Sequence, residues 1–311
     1  MKVLLFAVDL LAPLLVGYLC RFQGVVKETV FNKMILNNIL VIYPALSFLS
    51  FWVLPLNYQL IWLPVLGMAM GLIPGMVAYF VAEHKYDCDL DKGSYVMSAI
   101  LSNLGTIGGL CVFLLYGETG YAYQQLVVLF QYILMFMFCY PLAQYYYERS
   151  RQGSKVQRVS LKSIFFNRNQ LAVVGIFCGA ILQLSGVPRP SFMDGWAQFL
   201  IHFGAWTALI PVGYSIDFAK MKEHYREIKD ISLIKFVVTP IITYGLARLV
   251  IQDGKMLNTI LVLSCTPTAV NAVITSRIYN LNIHIAVAAF ILTTILFLVI
   301  VYPTLFIGLS M

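Results

Sequence analysis

Apolar residues run along this chain in long, nearly unbroken blocks separated by short polar gaps. The blocks cover 3–20, 34–54, 59–82, 95–115, 121–146, 170–186, 196–216, 231–251, 256–276 and 284–308. A helix crossing the hydrocarbon layer needs about 20 apolar residues. A spanning strand is about half that length and alternates apolar with polar positions. Continuous blocks of this length therefore predict helices, the open-chain solution that satisfies its own backbone in lipid. The pattern predicts an all-α polytopic membrane protein with about ten transmembrane helices, one for each block.

Composition agrees. Hydrophobic residues make up 60% of the 311 positions and charged residues 11%, with a mean hydropathy of +0.82. Soluble domains carry about 25% charged residues. The deficit runs through the whole chain, which excludes a soluble domain on a single anchor. The first block contains Asp9 and is followed by no soluble domain, so it reads as a membrane helix rather than a signal peptide.

The net charge of +7 changes the picture only when its distribution is considered. The odd-numbered gaps, with Lys235 just inside the adjoining helix, hold 17 of the basic residues and the opposite side holds 4, namely Lys2, Arg189, Arg248 and Lys255. This bias predicts a protein of the cell (cytoplasmic) membrane with cytoplasmic odd connections and both termini on the non-cytoplasmic side. It is a topology signal and does not indicate nucleic-acid binding. The longest polar stretch, 147–169, suggests a first five-helix repeat at 1–147, a cytoplasmic linker at 148–169 and a second five-helix repeat at 170–311. Five is odd, so the second repeat enters from the opposite side, the inverted plan of many transporters.

Leu101-Ser102-Asn103-Leu104-Gly105-Thr106 in the fourth block and Leu263-Ser264-Cys265-Thr266-Pro267-Thr268 in the ninth share Leu, Ser and Thr in register, with a helix breaker at one equivalent place. Gly105, Gly108 and Gly109 weaken the fourth helix, and Pro267 removes a donor from the ninth. Two interrupted helices at corresponding positions point to a transporter binding site. Their half-helix N-termini offer N–H groups and positive dipole ends, so an anion can bind without a cationic side chain, and no basic residue is read clearly at mid-span. The candidate substrate-binding residues are Asn103, Gly105, Thr106, Gly108, Gly109, Thr266, Pro267, Thr268 and Asn271. The structural alternative is close helix packing at the glycines and a simple kink at Pro267. Pro44 and Pro211 are further expected kinks.

Asp9 and His202 are candidate coupling residues, because ionisable groups within spans default to functional hypotheses. An interfacial Asp9 and a packing His202 are the alternatives. The coupling ion, proton or sodium, stays open. His84 and His224 read as loop residues and His284 as a helix start. Asp87, Asp89 and Asp91 lack the glycine and terminal glutamate of a calcium loop and read as a solvated loop. The six cysteines form no metal-ligand spacing and no disulfide framework. No catalytic motif or metal cluster is read, so the expectation is a non-enzyme without a cofactor.

The same segments resemble the auxin efflux carrier family of membrane permeases, which includes plant auxin exporters and bacterial malate and malonate carriers. In SNLGTIGGLCVFLLYGETG, the residues Asn103, Gly105, Gly108, Gly117 and Glu118 fit its pattern. Pro267, Ala269, Tyr279 and Thr294 fit a second segment, and Gly179 and Pro188 a third. Leu110 stands where the family usually has a crossover proline, Gln170 replaces another proline, and His284 stands near a common acidic position. The resemblance covers nearly the whole chain. It implies ten helices in inverted repeats, broken and crossing fourth and ninth helices, a carboxylate near the crossing with Asn103 in contact, and a homodimer.

The expected function is therefore a secondary transporter moving a small organic anion, a carboxylate, across the lipid bilayer by alternating access. Asn103, Thr106, Thr268 and Asn271 would orient it. The alternatives are a sodium- or proton-coupled symporter of the bile-acid carrier type and, in another class, a receptor or scaffold without turnover.

Overall fold

The computed structural model describes residues 2–24, 26–151, 171–214 and 218–310. The linker expected at 148–169 lies outside the described residues from 152 onward, as do Arg168, Asn169 and Gln170. Among the described residues every regular element is a helix, as the apolar blocks predict. These are α1 (Lys2–Gln23), α2 (Thr29–Val53), α3 (Tyr58–Lys85), α4 (Asp89–Ile100), α5 (Gly109–Val127), α6 (131–150), α7 (Leu171–Leu184), α8 (Phe192–Tyr214), α9 (218–250), α10 (Gly254–Ser264), α11 (Val270–Ile278) and α12 (Ile283–Leu309). Among the described residues, α2, α3, α12 and the 224–250 part of α9 are long and apolar enough to cross a membrane. Large apolar side chains such as Phe22, Phe80, Leu184 and Leu249 lie exposed, as expected where the surrounding solvent is lipid.

Prolines shape four of these helices in one way. Each of the π-helical turns Asn38–Ile42, Met135–Cys139, Ile234–Val238 and Phe297–Val301 is followed by a residue and then a proline: Pro44, Pro141, Pro240 and Pro303. The N–H of the residue before the proline donates five positions back, as from Tyr43 to the Asn38 carbonyl and from Tyr302 to that of Phe297. A mid-helix proline has no N–H and its ring presses on the carbonyl four residues earlier. The wider π turn admits the ring and lets the helix continue. The expected kink at Pro44 takes this form, whereas Pro211 lies inside α8 without such a turn.

The described chain packs into two compact units. One holds Met1–Leu60, Gly105–Gln125 and the described part of Phe165–Ile216; the other holds Ile61–Leu104, the described part of Leu126–Ile164, and that of Asp217–Met311. Each draws on both sequence halves.

In the first unit, glycines replace side chains where helices meet. A Cβ added at Gly175 or Gly179 of α7 would strike the α2 carbonyls of Pro44 and Phe48, and one at Gly213 of α8 would strike that of Leu14 in α1. Such small-residue contacts bring backbones together where lipid supplies no hydrophobic drive. Arg189 lies nearly buried beyond the end of α7. Its guanidinium donates to both carboxylate oxygens of Glu118 (2.5 and 3.2 Å), to Asp194 Oδ1 (2.5 and 3.0 Å) and to the Leu49 carbonyl (2.9 Å). Glu118 follows Gly117, whose φ of 61° and ψ of −148° interrupt α5 in a region only glycine occupies readily.

The second unit is closed at one end by ion pairs. Lys92 meets Glu83 at 2.9 Å, Arg149 meets Glu83 and Asp89 at 3.2 and 3.3 Å, and Lys85 meets Asp230 at 2.7 Å. Asp89 and Asp91 were expected in a solvated loop. They lie instead in the first turn of α4, where the helix dipole favours carboxylates. His84 and His224, expected in loops, lie in α3 and α9, because polar residues at both helix ends extend them beyond the apolar blocks. Burial, then the carboxylates of Asp230 and Glu227, raises the Tyr86 pKa, so its phenol stays neutral and donates to the Glu227 carbonyl at 2.9 Å.

Candidate functional site

The fourth and ninth blocks are each broken in two within the second unit. α4 stops at Ile100 and the chain continues as extended backbone from Leu101, whereas α10 stops at Ser264 and the chain passes through a turn at Cys265 before it is extended by Ala269. The two extended pieces pair as an antiparallel bridge between Ser102 and Thr268. The Asn103 N–H donates to the Pro267 carbonyl and the Ala269 N–H to the Leu101 carbonyl, both at 2.8 Å. A bridge of β type amid helices answers the demand that buried backbone groups find partners.

Local chemistry explains the stop in α10. Pro267 leaves the Leu263 carbonyl without its usual helical donor. The Thr266 hydroxyl supplies the replacement at 2.7 Å and the Thr266 N–H a second bond at 3.1 Å. α4 has no proline, and its break is stabilised from outside. The Thr268 hydroxyl caps the Ser98 carbonyl at 2.8 Å, while the Thr268 N–H donates to Thr293 Oγ1 at 3.0 Å. The sequence places the weak point of this helix at Gly105, Gly108 and Gly109. The structure corrects that: the break lies at Leu101–Asn103, and Gly105 and Gly108 belong to a π turn, Leu104–Gly108, that leads directly into α5 at Gly109. Pairing with the partner segment, not glycine freedom, opens the chain.

A second correction concerns charge. Lys235, expected at the edge of a helix, lies well inside α9, which begins at Phe218, before its apolar block. It is 1% exposed, and its Nζ donates to Ser102 Oγ at 2.8 Å. Gln131 of α6 donates to the Ser102 carbonyl at 3.2 Å. A basic side chain is thus present at the broken helices. The sequence signal for it is a single lysine with apolar residues on both sides, in Ile234-Lys235-Phe236. Its ammonium lies beside the C-terminal end of α4, where the helix dipole is negative.

Of the expected substrate residues, Asn103, Thr266, Pro267 and Thr268 meet at the bridge, all buried. Asn271 is half-buried in the first turn of α11. Gly105 and Thr106 face a different space, a cavity of about 20 Å³ inside the first unit, with Tyr43 of α2, Tyr121 of α5 and Ala205 of α8 among its walls. Gly109 is buried near the Gln124 side chain. His202 stands half-buried in the first unit with its ring edge-on to Phe113 at 5.8 Å. Asp9 is on α1, and its side chain lies outside the described residues. Among the described residues no group of acids, histidines and cysteines could hold a metal ion, and the six cysteines are free thiols.

Within the second unit the arrangement brings together the Asn103 amide, the hydroxyls of Ser102, Thr266 and Thr268, and the buried Lys235 amine. Such a set can hold a small anion in a place from which water is largely excluded. A profile of the family described as membrane transport protein matches residues 6–305. An uncharacterized transporter of Methanocaldococcus jannaschii is 27% identical over 301 residues, spanning 92% of each chain. An uncharacterized transporter of Methanothermobacter thermautotrophicus is 22% identical over 309 residues, spanning 94% of this chain and 93% of its own. The chain belongs to the membrane transport protein family, that of the auxin efflux carriers, and is a transport protein rather than an enzyme.

Proposed function

We propose that this chain is a permease carrying a small organic anion, a carboxylate, across the cell membrane by alternating access around the two broken helices. The observation that carries this reading is the Ser102–Thr268 bridge with the Lys235 side chain buried against it. Asn103, Thr268 and Asn271 orient the carboxylate, Thr106 lies just beyond it along the chain, and the half-helix N-termini with Lys235 balance its charge. The ten-span, inverted-repeat plan is part of the same proposal. It is supported by the π turn followed by Tyr-Pro in both α6 and α12, the fifth helices of their sequence halves. Both termini lie on the non-cytoplasmic side in this reading, and the chain works as a homodimer. A lysine rather than a carboxylate at the break disfavours a sodium ion at the same place, because a hard cation takes oxygen ligands, carboxylates above all, and gains none from an amine.

Counterflow in vesicles reconstituted with purified protein tests the site. Asn103→Ala and Asn271→Ala are each expected to cut carboxylate flux at least tenfold, the loss of roughly one charge-assisted hydrogen bond. Unchanged flux in both variants rejects the site assignment.

A further inference from the structure

Within the first unit, α2 and α8 run antiparallel along a seam fixed at three levels. The Phe31 ring stacks on Tyr214 with centroids 4.2 Å apart, the Asn38 amide donates to Thr207 Oγ1 at 3.0 Å, and a Cβ at Gly204 would strike Ile42. Beside the seam lies a groove of about 510 Å³, with Lys33, Met34, Asn37 and Val41 of α2 and Phe203 and Thr207 of α8 in its lining. The polar pair at the seam is satisfied within the protein. Asn38 is 1% exposed and also donates to the Met34 carbonyl at 3.1 Å, and the Thr207 hydroxyl donates to that of Phe203 at 2.8 Å.

The remaining groups of the groove come in a fixed order. Lys33 is at one end, Asn37 one helical turn deeper, and Val41 with Phe203 a further turn on. From Lys33 to Val41 the helix rises ~12 Å, close to the ~15 Å depth of one leaflet's hydrocarbon. Lys33 and Asn37 are exposed, and neither side chain has a hydrogen-bonding or ionic partner among the described residues. Lys85, Lys92, Arg149 and Arg189, by contrast, each meet a carboxylate. Around this end the sequence offers Arg21, Lys27 and Lys33 against a single acid, Glu28, and residues 203–214 of α8 carry no charge. A phospholipid presents the matching order of phosphate, glycerol oxygens and acyl chain. The cytoplasmic leaflet is the anionic one, and the connection before α2 faces it in the orientation proposed above. A second copy of the chain, related by a two-fold axis along the membrane normal, would instead set Lys33 at the same depth as its counterpart, like charge beside like charge.

We infer that the α2–α8 groove binds an anionic phospholipid: Lys33 meets the phosphate, the Asn37 amide donates to a glycerol oxygen, and one acyl chain lies along Met34, Val41 and Phe203. This site is separate from the broken helices and independent of what the carrier transports.

The test is thermal stabilisation of the purified full chain in detergent, titrated with phosphatidylglycerol or with phosphatidylcholine of the same acyl chains. Phosphatidylglycerol is expected to raise the melting temperature saturably, with an affinity about fivefold or more above that of phosphatidylcholine. Lys33→Gln should remove most of that preference. Lys27→Gln changes an exposed lysine outside the groove lining and should leave phosphatidylglycerol affinity within about twofold. Val41→Trp fills the chain track from an exposed position, so the fold should survive, and both lipids should bind at least about fivefold more weakly with Lys33 intact. Glycerol phosphate, a headgroup without chains, should give no shift. Equal affinity of the unmodified chain for the two lipids overturns the inference, as does an equal loss in the two lysine variants, which would mean surface charge alone. Stabilisation by glycerol phosphate as strong as by phosphatidylglycerol overturns it in favour of a phosphate site. Val41→Trp that splits a dimer and leaves lipid affinity unchanged overturns it in favour of a second copy in the groove. Carboxylate flux is read separately in vesicles, so none of these results decides the carrier reading.

Discussion

At the residue scale the most consequential group is Lys235. A lysine in a membrane helix costs several kcal/mol unless its ammonium is partnered. Its contact among the described residues is the Ser102 hydroxyl, at 2.8 Å. Removing that hydroxyl strands the charge. Ser102→Ala is expected to lower stability by about 1–3 kcal/mol. In a Lys235→Met background the same change should cost less than about 0.5 kcal/mol, because nothing is left to strand. Melting of the four proteins, each with and without carboxylate, measures the coupling. Lys235→Met alone should melt no lower than the parent, since an apolar side chain of similar length suits the site, yet its stabilisation by carboxylate should largely disappear. A cycle without coupling would refute the Lys235–Ser102 contact. Persistent carboxylate stabilisation in Lys235→Met would show that the ammonium plays no part in holding the anion.

At the element scale two contrasts matter. The α2–α7 contact depends on missing side chains: at Gly175 and Gly179 the α2 backbone occupies the space where a Cβ would stand. Gly175→Leu forces the pair apart and should destabilise the protein by about 1–3 kcal/mol or more. An exposed glycine such as Gly245, where an added Cβ meets nothing, should tolerate Ala in the same melting assay. The second contrast concerns breaks. Prolines in α2, α6, α9 and α12 are absorbed by π turns and the helix continues, whereas Pro267 accompanies a full break paired to another chain segment. Pro267→Ala restores a donor toward Leu263 and should favour continuing α10 through the bridge. Insertion and expression should survive, and flux in reconstituted vesicles should fall at least tenfold. Normal flux would show that the bridge is not set by the proline.

At the scale of the whole molecule, coupling is the open property that the site addresses. With a lysine and no carboxylate against Ser102 among the described residues, uptake is expected to be indifferent to an imposed sodium gradient and to respond to the gradient of the anion itself. Flux that follows sodium would restore the bile-acid type of symport. The acid and base groups of the second unit gather mainly at one end, in the Lys85–Asp230 and Glu83–Lys92–Arg149 pairs, and leave the interior of the described unit to hydroxyls, amides and Lys235. That distribution suits a carrier in which ionic contacts close an end and the path through the membrane stays weakly charged.

The sequence by itself determined the all-helical membrane architecture, because lipid tolerates few backbone solutions and the apolar blocks declare their length. It also marked the interruption of the ninth block, because a proline cannot be hidden in a helix pattern; in the fourth block it drew attention to glycines that lie just past the break. The tertiary structure decided where the fourth helix opens. Leu101 to Asn103 carry no local breaker, and their extended form exists because Thr268 and Ala269 complete their hydrogen bonds. It decided the place of Lys235, since a helix that starts before its apolar block moves a lysine read as marginal into the interior. It grouped Tyr43, Thr106, Tyr121 and Ala205 around one cavity, although they come from three separate stretches of chain with no shared motif. It also composed each compact unit from both sequence halves. Periodicity and breakers act between residues a few positions apart and can be read along the chain. Pairing, burial of a lysine and the walls of a cavity depend on contacts between residues as far apart as Leu101 and Ala269, and these exist only once the chain has folded.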